Sequence, residues 1–176
     1  FMVRTEHDIQ LTSPRVVPLF EETFTSNFPN WTKYSVTGAQ VWTLDTTYGN
    51  PGSCAKMSGY SGGNLANEDW LISPAISLAN ISNATLTFDT ATKFAGNALQ
   101  IYISTNYNGT ANPNTATWTQ VNGTLSPSTG NYVWTASGPI NISSFAGNTI
   151  YVAFKYTSTT TAAATWEVDN VKIIGQ

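Results

Sequence analysis

Apolar and polar residues alternate over short segments of this 176-residue chain, and this pattern constrains the fold more than any other feature. Successive side chains of a β-strand point to opposite faces, so alternation predicts strands with one buried face. No segment long enough for three helical turns shows a 3.6-residue period, and only 142–146 could form a short helical turn. The clearest strands span 86–90, 99–104 and 150–156, and we expect these residues to point inward: Leu86, Phe88, Leu99, Ile101, Ile103, Ile150, Val152, Phe154 and Tyr156. The pattern is that of an all-β domain.

The net charge, the distribution of apolar residues and the cysteine content exclude several classes of protein. The net charge is −3 and the basic residues are scattered, whereas nucleic acids and anionic membranes are bound by basic patches. No run of 18 apolar residues exists that could span a membrane. Cys54 is the only cysteine, which excludes an internal disulfide and a cysteine-cluster metal site; we expect it to be a small, partly buried residue.

The first 18 residues differ in composition from the rest. They contain both arginines, the only histidine (His7) and the turn-forming segment 12–15. We interpret residues 1–18 as the tail of a preceding domain plus a linker, and residues 19–176 as the folded domain. A covalently attached neighbouring domain is therefore expected before residue 1.

In the last segment of the chain, the alternation of apolar and polar residues shifts by one position. Trp166 and Val168 are apolar at even positions, but Val171 and Ile173 are apolar at odd positions. A shift of one residue turns every side chain to the other face of the sheet. A β-bulge at Asp169-Asn170 would restore the inward phase, and it would aim the Asp169 carboxylate outward.

Four motifs occur in an order that resembles one family. Residues 67–74 read Asn-Glu-Asp-Trp-Leu-Ile-Ser-Pro, and 166–173 read Trp-Glu-Val-Asp-Asn-Val-Lys-Ile. Residues 22–24 read Glu-Thr-Phe, followed at 28–31 by Phe-Pro-Asn-Trp, and 145–154 lead into a strand. The chain resembles, over roughly 19–175, the choice-of-anchor J or cleaved adhesin domains (gingipain adhesin-like) of secreted and surface proteins of Bacteroidetes.

The resemblance implies a fold and a kind of function. The expected fold is an antiparallel β-sandwich of jelly-roll type, similar to galactose-binding-like and MAM-like domains. The expected function is that of an accessory module of a secreted or lipoprotein-anchored surface protein, which binds a glycan or a host or matrix protein without catalysis. A ligand-free spacer that presents a neighbouring domain is the alternative.

Jelly rolls similar to this family often hold one structural calcium ion where the first and last strands meet. In this chain that junction would offer Glu22 and Asp169. The position after the opening Phe, which often carries an acid, is here Thr25. Calcium bound by Glu22 and Asp169 is one possibility. The alternative is that both are ordinary turn acids that accept hydrogen bonds and bind no metal.

Aromatic residues are candidates either for the core or for stacking on sugar rings. Trp70 is flanked by inward apolar residues, so we expect it in the sandwich interior, with Pro74 ending its strand. Tyr102 and Tyr151 point outward and fit a sugar-binding surface, with Lys155 and Asp89 as polar neighbours. Ordinary cross-strand packing is the alternative for both tyrosines.

Residues for catalysis are scarce. His7 lies in the predicted tail, so a Ser-His-Asp or Cys-His arrangement lacks its base. A glycoside hydrolase would need a pair of carboxylates, for which Glu68/Asp69 and Glu167/Asp169 are the candidates. We interpret these acids as solvated side chains of loops and strand ends, and assign no catalytic residue.

Overall fold

The computed structural model describes Ser13 and residues 15–176. Most of the predicted tail, including His7, lies outside the described residues, and the first strand begins at Val17, within the predicted linker. The strands are β1 (Val17–Glu22), β2 (Thr32–Thr37), β3 (Thr43–Gly49), β4 (Gly52–Ser58), β5 (Asn67–Ile72), β6 (Ile76–Ser77), β7 (Ala84–Lys93), β8 (Gln100–Ser104), β9 (Thr119–Val121), β10 (Thr135–Ala136), β11 (Ile140–Asn141), β12 (Thr149–Ser158) and β13 (Thr165–Gly175).

The strands form two antiparallel sheets packed face to face. Sheet 1 has the order β10-β7-β13-β4-β3, with β1 also paired to β13 and β11 to β7. Sheet 2 has the order β2-β5-β12-β8-β9, with β6 also paired to β12. All pairings are antiparallel, and this confirms the predicted β-sandwich.

The core lies between the sheets, where the alternation predicted it. All nine residues expected to point inward are buried, and all belong to one apolar cluster. The same alternation places Ser104 and Ala153 on the outer face of their strands, but both are also buried. Ala153 packs with Tyr107, because the connection between β8 and β9 returns over the outer face of sheet 2. Both faces of sheet 2 are therefore partly covered.

Trp70 is buried, but the prediction that it lies in the sandwich interior is wrong. Its neighbour Leu71 belongs to the interior cluster, whereas Trp70 packs with Tyr107 in a second cluster on the outer face of sheet 2. Its ring centroid lies 5.2 Å from that of Trp118 and 5.7 Å from that of Tyr102. Its strand ends at Ile72, two residues before Pro74, as expected.

The predicted bulge in β13 is confirmed. Asp169 pairs with Asp89 of β7, but the next pair joins Lys172 to Thr87, so β13 contains one extra residue. Asn170 adopts φ of 51°, a left-handed conformation that Asn tolerates better than most residues. Val171 and Ile173 are thereby returned to the core.

Helical structure is minor in the described residues. A 3₁₀ helix at Ser143–Phe145 matches the predicted short turn, and another spans Pro113–Thr115. Neither is anywhere near the length or apolar character required to cross a membrane, and the described part of the chain offers no other candidate.

Candidate functional site on the outer face of sheet 1

The outer face of sheet 1 carries a row of polar side chains across three strands. Thr43 of β3 pairs with Lys56 of β4, and Lys56 pairs with Glu167 of β13. Directly paired residues point to the same face of a sheet, so all three side chains lie outside the core. Met57 and Trp166, which are the next residues along β4 and β13, point into the core instead.

Aromatic side chains from distant parts of the chain stand around this row. A cleft of about 400 Å³ is lined by Tyr48, Tyr132 and Trp134 together with Lys56 and Glu167. The Trp134 indole N–H donates to the main-chain oxygen of Tyr48 at 3.2 Å, which joins the two walls. Tyr48 is 67% exposed although it is a large aromatic residue. The cleft therefore combines exposed ring surface with charged groups.

The charges of the cleft form a short chain. The Lys56 ammonium lies 3.2 Å from Asp45 Oδ2 and 3.9 Å from Glu167 Oε1. Burial works against ionisation of Asp45, but the N–H groups of Thr47 and Tyr48 and the Lys56 ammonium hold the pKa of Asp45 below its usual value. Asp45 thus holds the Lys56 ammonium, and Lys56 lines the cleft.

Glu167 is the unusual member of this chain. Its side chain is almost fully buried, and its Oε2 atom has no hydrogen-bond partner. Burial raises the pKa of Glu167 to about 7, and the Lys56 ammonium only partly opposes this effect. Glu167 therefore changes its charge near neutral pH, directly below the aromatic walls.

A second depression lies on the same side of the sandwich. It has a volume of about 550 Å³ and is lined by Tyr60 and Phe94 and by the turn between β12 and β13. The ammonium of Lys93 lies 5.1 Å from the ring centroid of Phe94 and 5.9 Å from that of Tyr132. Because Tyr132 lines the first cleft, Lys93 connects the two depressions.

Three of the four residues predicted to bind a ligand come together, but on sheet 2. Tyr102, Tyr151 and Lys155 all lie on its outer face, and all three are half-buried. The ring of Tyr151 packs edge-on against Tyr107, and the Lys155 ammonium lies 5.2 Å from the ring centroid of Trp70. Much of their surface is thus used in packing beneath the segment 105–118.

Asp89 requires a correction, because it is not a polar neighbour of these three residues. It lies on β7 in sheet 1, where its Oδ2 atom accepts hydrogen bonds from the side chains of Asn50 and Asn170. The sequence places Asp89 on an outward face but does not reveal which of the two sheets contains its strand.

The predicted calcium ligands are near each other but already have hydrogen-bond donors. The Glu22 carboxylate accepts from the main-chain N–H of Phe24 at 2.8 Å and from the Trp31 indole at 2.9 Å. The Asp169 carboxylate accepts from the main-chain N–H groups of Asn50 and Asn170, each at 2.7 Å. Four donors thus already stabilise two carboxylates, so this pair does not require a cation. Calcium at this position stays a prediction.

Asp169 is not as exposed as the bulge argument suggested. It lies on the outer side of sheet 1, but the turn between β3 and β4 covers it completely. Burial raises its pKa, the two main-chain N–H groups oppose this, and the charges of Asp89 and Glu22 add to the increase.

The candidate acid pairs differ in geometry. Glu68 and Asp69 cannot act together, because they lie on opposite faces of β5 and Asp69 is enclosed in the sandwich. Glu167 and Asp169 share one face of β13, but both oxygens of Asp169 are occupied by main-chain donors. Neither pair is a solvated surface pair, contrary to the expectation, since Asp69, Glu167 and Asp169 are buried.

Sequence reasoning missed most of the cleft. Tyr48, Tyr132, Trp134 and Lys56 come from three separate segments, and no motif joins them. One signal was present in the sequence: Asp45 and Lys56 carry opposite charges and flank the turn-forming segment Gly49–Gly52. A hairpin at that turn would have placed them near one another.

Comparison with known proteins places this geometry in context. The model of the family described as Domain of unknown function (DUF5017) matches residues 33–174. No curated protein matches the sequence.

Several solved structures share the fold. The K3 cleaved adhesin domain of Lys-gingipain from Porphyromonas gingivalis aligns with a TM-score of 0.65 and 20% identity, over 91% of this chain and 99% of that domain. This likeness confirms the expected resemblance at the level of the fold.

Carbohydrate-binding modules also share the fold of this chain. The CBM22-1 xylan-binding domain of Paenibacillus barcinonensis Xyn10C aligns with a TM-score of 0.52 and 15% identity, over 93% of this chain and 97% of that one. The family 11 carbohydrate-binding module of Clostridium thermocellum, solved with a mixed-linked tetrasaccharide, aligns with a TM-score of 0.53 and 16% identity, over 87% and 94%.

Proposed function

Because the chain belongs to the DUF5017 family, and its fold is that of adhesin and carbohydrate-binding domains, we propose that it is a binding module without catalytic activity that holds a glycan in the cleft of sheet 1. One observation carries the proposal. Tyr48, Tyr132 and Trp134 present aromatic surface around the polar side chains of Lys56 and Glu167.

The chemistry of the cleft suits a sugar. A sugar ring has apolar C–H faces and a rim of hydroxyl groups, so it is recognised by flat aromatic surface together with polar side chains. The Trp134 indole is already fixed by its hydrogen bond to the Tyr48 main-chain oxygen, so this wall requires little ordering on binding. Of the residues that line the cleft, Lys56 can donate a hydrogen bond to a sugar hydroxyl and Glu167 can accept one through its unpartnered Oε2 atom.

The shape of the surface favours more than one sugar unit. Lys93 lies between the cleft and the depression lined by Tyr60 and Phe94, because its ammonium is near a ring of each. Xylan, for which the CBM22-1 domain is named, and the β-1,3-1,4-mixed-linked tetrasaccharide found with the family 11 module are suitable first probes.

Affinity electrophoresis against soluble polysaccharides, followed by calorimetry with oligosaccharides, tests the proposal. Replacing Trp134 with Ala removes one aromatic wall of the cleft. If the ring contributes about 1–2 kcal/mol to the binding free energy by stacking, its loss should weaken binding by roughly 5- to 30-fold. Trp134→Phe keeps a ring and should retain part of the affinity. Tyr102→Phe on sheet 2 is the matched control and should bind like the wild type.

The outer face of sheet 2 is the second candidate surface for a glycan or a host or matrix protein. Tyr102, Tyr151 and Lys155 meet there over a cluster of aromatic rings. Binding that is lost in Tyr102→Ala and Tyr151→Ala but kept in Trp134→Ala would transfer the function to this face. If the protein at high micromolar concentration binds none of the glycans and matrix proteins, the ligand-free spacer is the role that remains.

We further propose that the module works outside the cell, as part of a secreted or surface-anchored protein of a Bacteroidetes bacterium. Adhesin domains of Lys-gingipain are among its structural neighbours, and a surface location gives a glycan-binding cleft access to its ligand. Protease treatment of intact cells, followed by an immunoblot for this domain, tests the location. Protection of the domain until the cells are lysed would contradict it.

A further inference from the structure

Among the residues that the structure describes, three side-chain oxygen atoms inside the sandwich have no hydrogen-bond partner. They are both carboxylate oxygens of Asp69 and the amide oxygen of Asn67. Asp69 is 1% exposed and Asn67 is 4% exposed. Residues 67 and 69 are two apart on β5, so both side chains leave the same face of the strand. A buried acceptor without a donor is costly, and a buried carboxylate is more costly still.

The orientation of the Asn67 amide is fixed by its surroundings. Its Nδ2 atom donates to Gln40 Oε1 at 3.1 Å, to the Leu65 main-chain oxygen at 3.2 Å and to Ser158 Oγ at 3.4 Å. Exchanging the nitrogen and oxygen would set an acceptor against these oxygens. The amide oxygen must therefore point the other way, toward Gly38, whose main chain leaves no room for a β-carbon beside it.

The donors that surround Asp69 are all engaged elsewhere. Tyr156 pairs directly with Asp69 across the sheet, but its hydroxyl donates to the Ala164 oxygen at 2.6 Å. Ser35 pairs with Asp69 on the other side, and its hydroxyl lies 3.1 Å from the Gly38 oxygen. This hydroxyl is close enough to lower the pKa of Asp69 slightly against the effect of burial, but it makes no hydrogen bond of good geometry to the carboxylate. The Trp42 indole donates to the main-chain oxygen of Asp69 rather than to its side chain.

Positive side chains do not neutralise Asp69 either. The ion pairs of the described residues join Lys56 to Asp45 and Glu167, and Lys155 to Glu68. Glu68 and Lys155 lie on the outer face of sheet 2, on the far side of the strand from Asp69.

We propose that the Asp69 carboxylate and the Asn67 amide oxygen bind one hard cation, Ca²⁺ or Na⁺, inside this end of the sandwich. The donor set contains only oxygen, and carboxylate, amide and main-chain oxygens are the ligands of hard cations. One charge on the site is few for calcium, so affinity in the millimolar range of extracellular modules is expected. The site is separate from the cleft of sheet 1 and from the Glu22–Asp169 pair.

Thermal melting of the whole chain tests the site. The protein is stripped of metal with a chelating resin and melted in choline chloride, then in NaCl of equal ionic strength, and then in choline chloride with about 5 mM CaCl₂. A bound cation should raise the melting temperature by about 2–8 °C over choline alone. The effective salt identifies the ion.

Matched variants locate the ion. Asp69→Asn keeps the shape of the side chain and offers an N–H to the Asn67 oxygen, so the variant should fold but lose the response to cations. Glu68→Gln changes the adjacent acid on the opposite face and should keep the response. Terbium luminescence excited through tryptophan gives a direct second readout for a calcium site, because Trp42 contacts Asp69; it should appear in Glu68→Gln and disappear in Asp69→Asn.

Three results would overturn the proposal. An equal response in wild type and Asp69→Asn would place the ion elsewhere. A response lost in Asp169→Asn but kept in Asp69→Asn would place it at the junction of the first and last strands. No response to either salt, with Asp69→Asn melting above the wild type, would show that the carboxylate is buried without a cation. Glycan binding is measured separately, so failure of either proposal leaves the other intact.

Discussion

Glu167 at the floor of the cleft should make the stability of this domain depend on pH. Burial raises its pKa from 4.5 to about 7 in the folded state. The folded protein thus holds this proton more tightly than the unfolded chain does. Stability should fall as pH rises from about 4.5 to 7 and then level off, because ionisation of a buried carboxylate disfavours the folded state.

The magnitude follows from the shift in pKa. One pKa unit corresponds to about 1.4 kcal/mol, so ionised Glu167 destabilises the fold by about 3 kcal/mol. Glu167→Gln keeps the size of the side chain and does not ionise. At pH 8 the variant should be more stable than the wild type by up to about 3 kcal/mol, and at pH 4.5 the two should be nearly equal.

Urea unfolding of both proteins at a series of pH values measures the effect. Both proteins are stripped of metal. Asp69, whose pKa burial raises to about 6 in the metal-free protein, then titrates in both, so the difference between them isolates Glu167. Replacing Lys56 with Met should move the transition to higher pH, since its ammonium favours the ionised carboxylate. A difference that does not change between pH 4.5 and 8, or a wild type more stable at pH 8, would refute the reasoning.

Two further predictions concern stability. Trp70→Ala should lower the free energy of unfolding by about 3–5 kcal/mol, because the ring is buried against Trp118 and Tyr102. Trp70→Phe should recover much of this in the same urea titration, and a loss below about 1 kcal/mol in the Ala variant would show that the ring contributes little. Asn170→Ala should cost about 1–3 kcal/mol, since it removes the hydrogen bonds to Asn50 and Asp89 and places Ala at a positive φ. Asn170→Gly should cost less in thermal melts if the backbone contributes, and equal losses would assign the whole effect to the hydrogen bonds.

Much of the fold could be predicted from local pattern alone. The alternation in 86–90, 99–104 and 150–156 identified the inward residues, because a strand with one covered face imposes a period of two. The change of phase between Val168 and Val171 located the bulge, because only an extra residue returns both to the core. These features depend on neighbours in the chain.

Trp70 shows where the pattern stops being informative. The outer face of sheet 2 is covered by the segment 105–118, so apolar residues occur on both faces of β5 and no longer mark the interior. Ala153 and Ser104 are buried for the same reason. Whether a second layer covers a sheet depends on where a distant loop packs, and strand periodicity does not record that.

The sequence by itself determined the class of fold, the inward faces of its clearest strands and the bulge in its last strand. Only the tertiary structure decided the candidate sites. Tyr48, Trp134 and Glu167 form one cleft although more than 30 residues separate each from the next. Asp69 has no hydrogen bond from Tyr156, its partner across the sheet, because the Tyr156 hydroxyl donates to the Ala164 oxygen. Strand pairing between distant segments produces both arrangements, and the partner of each strand is set by the packing of the whole sandwich.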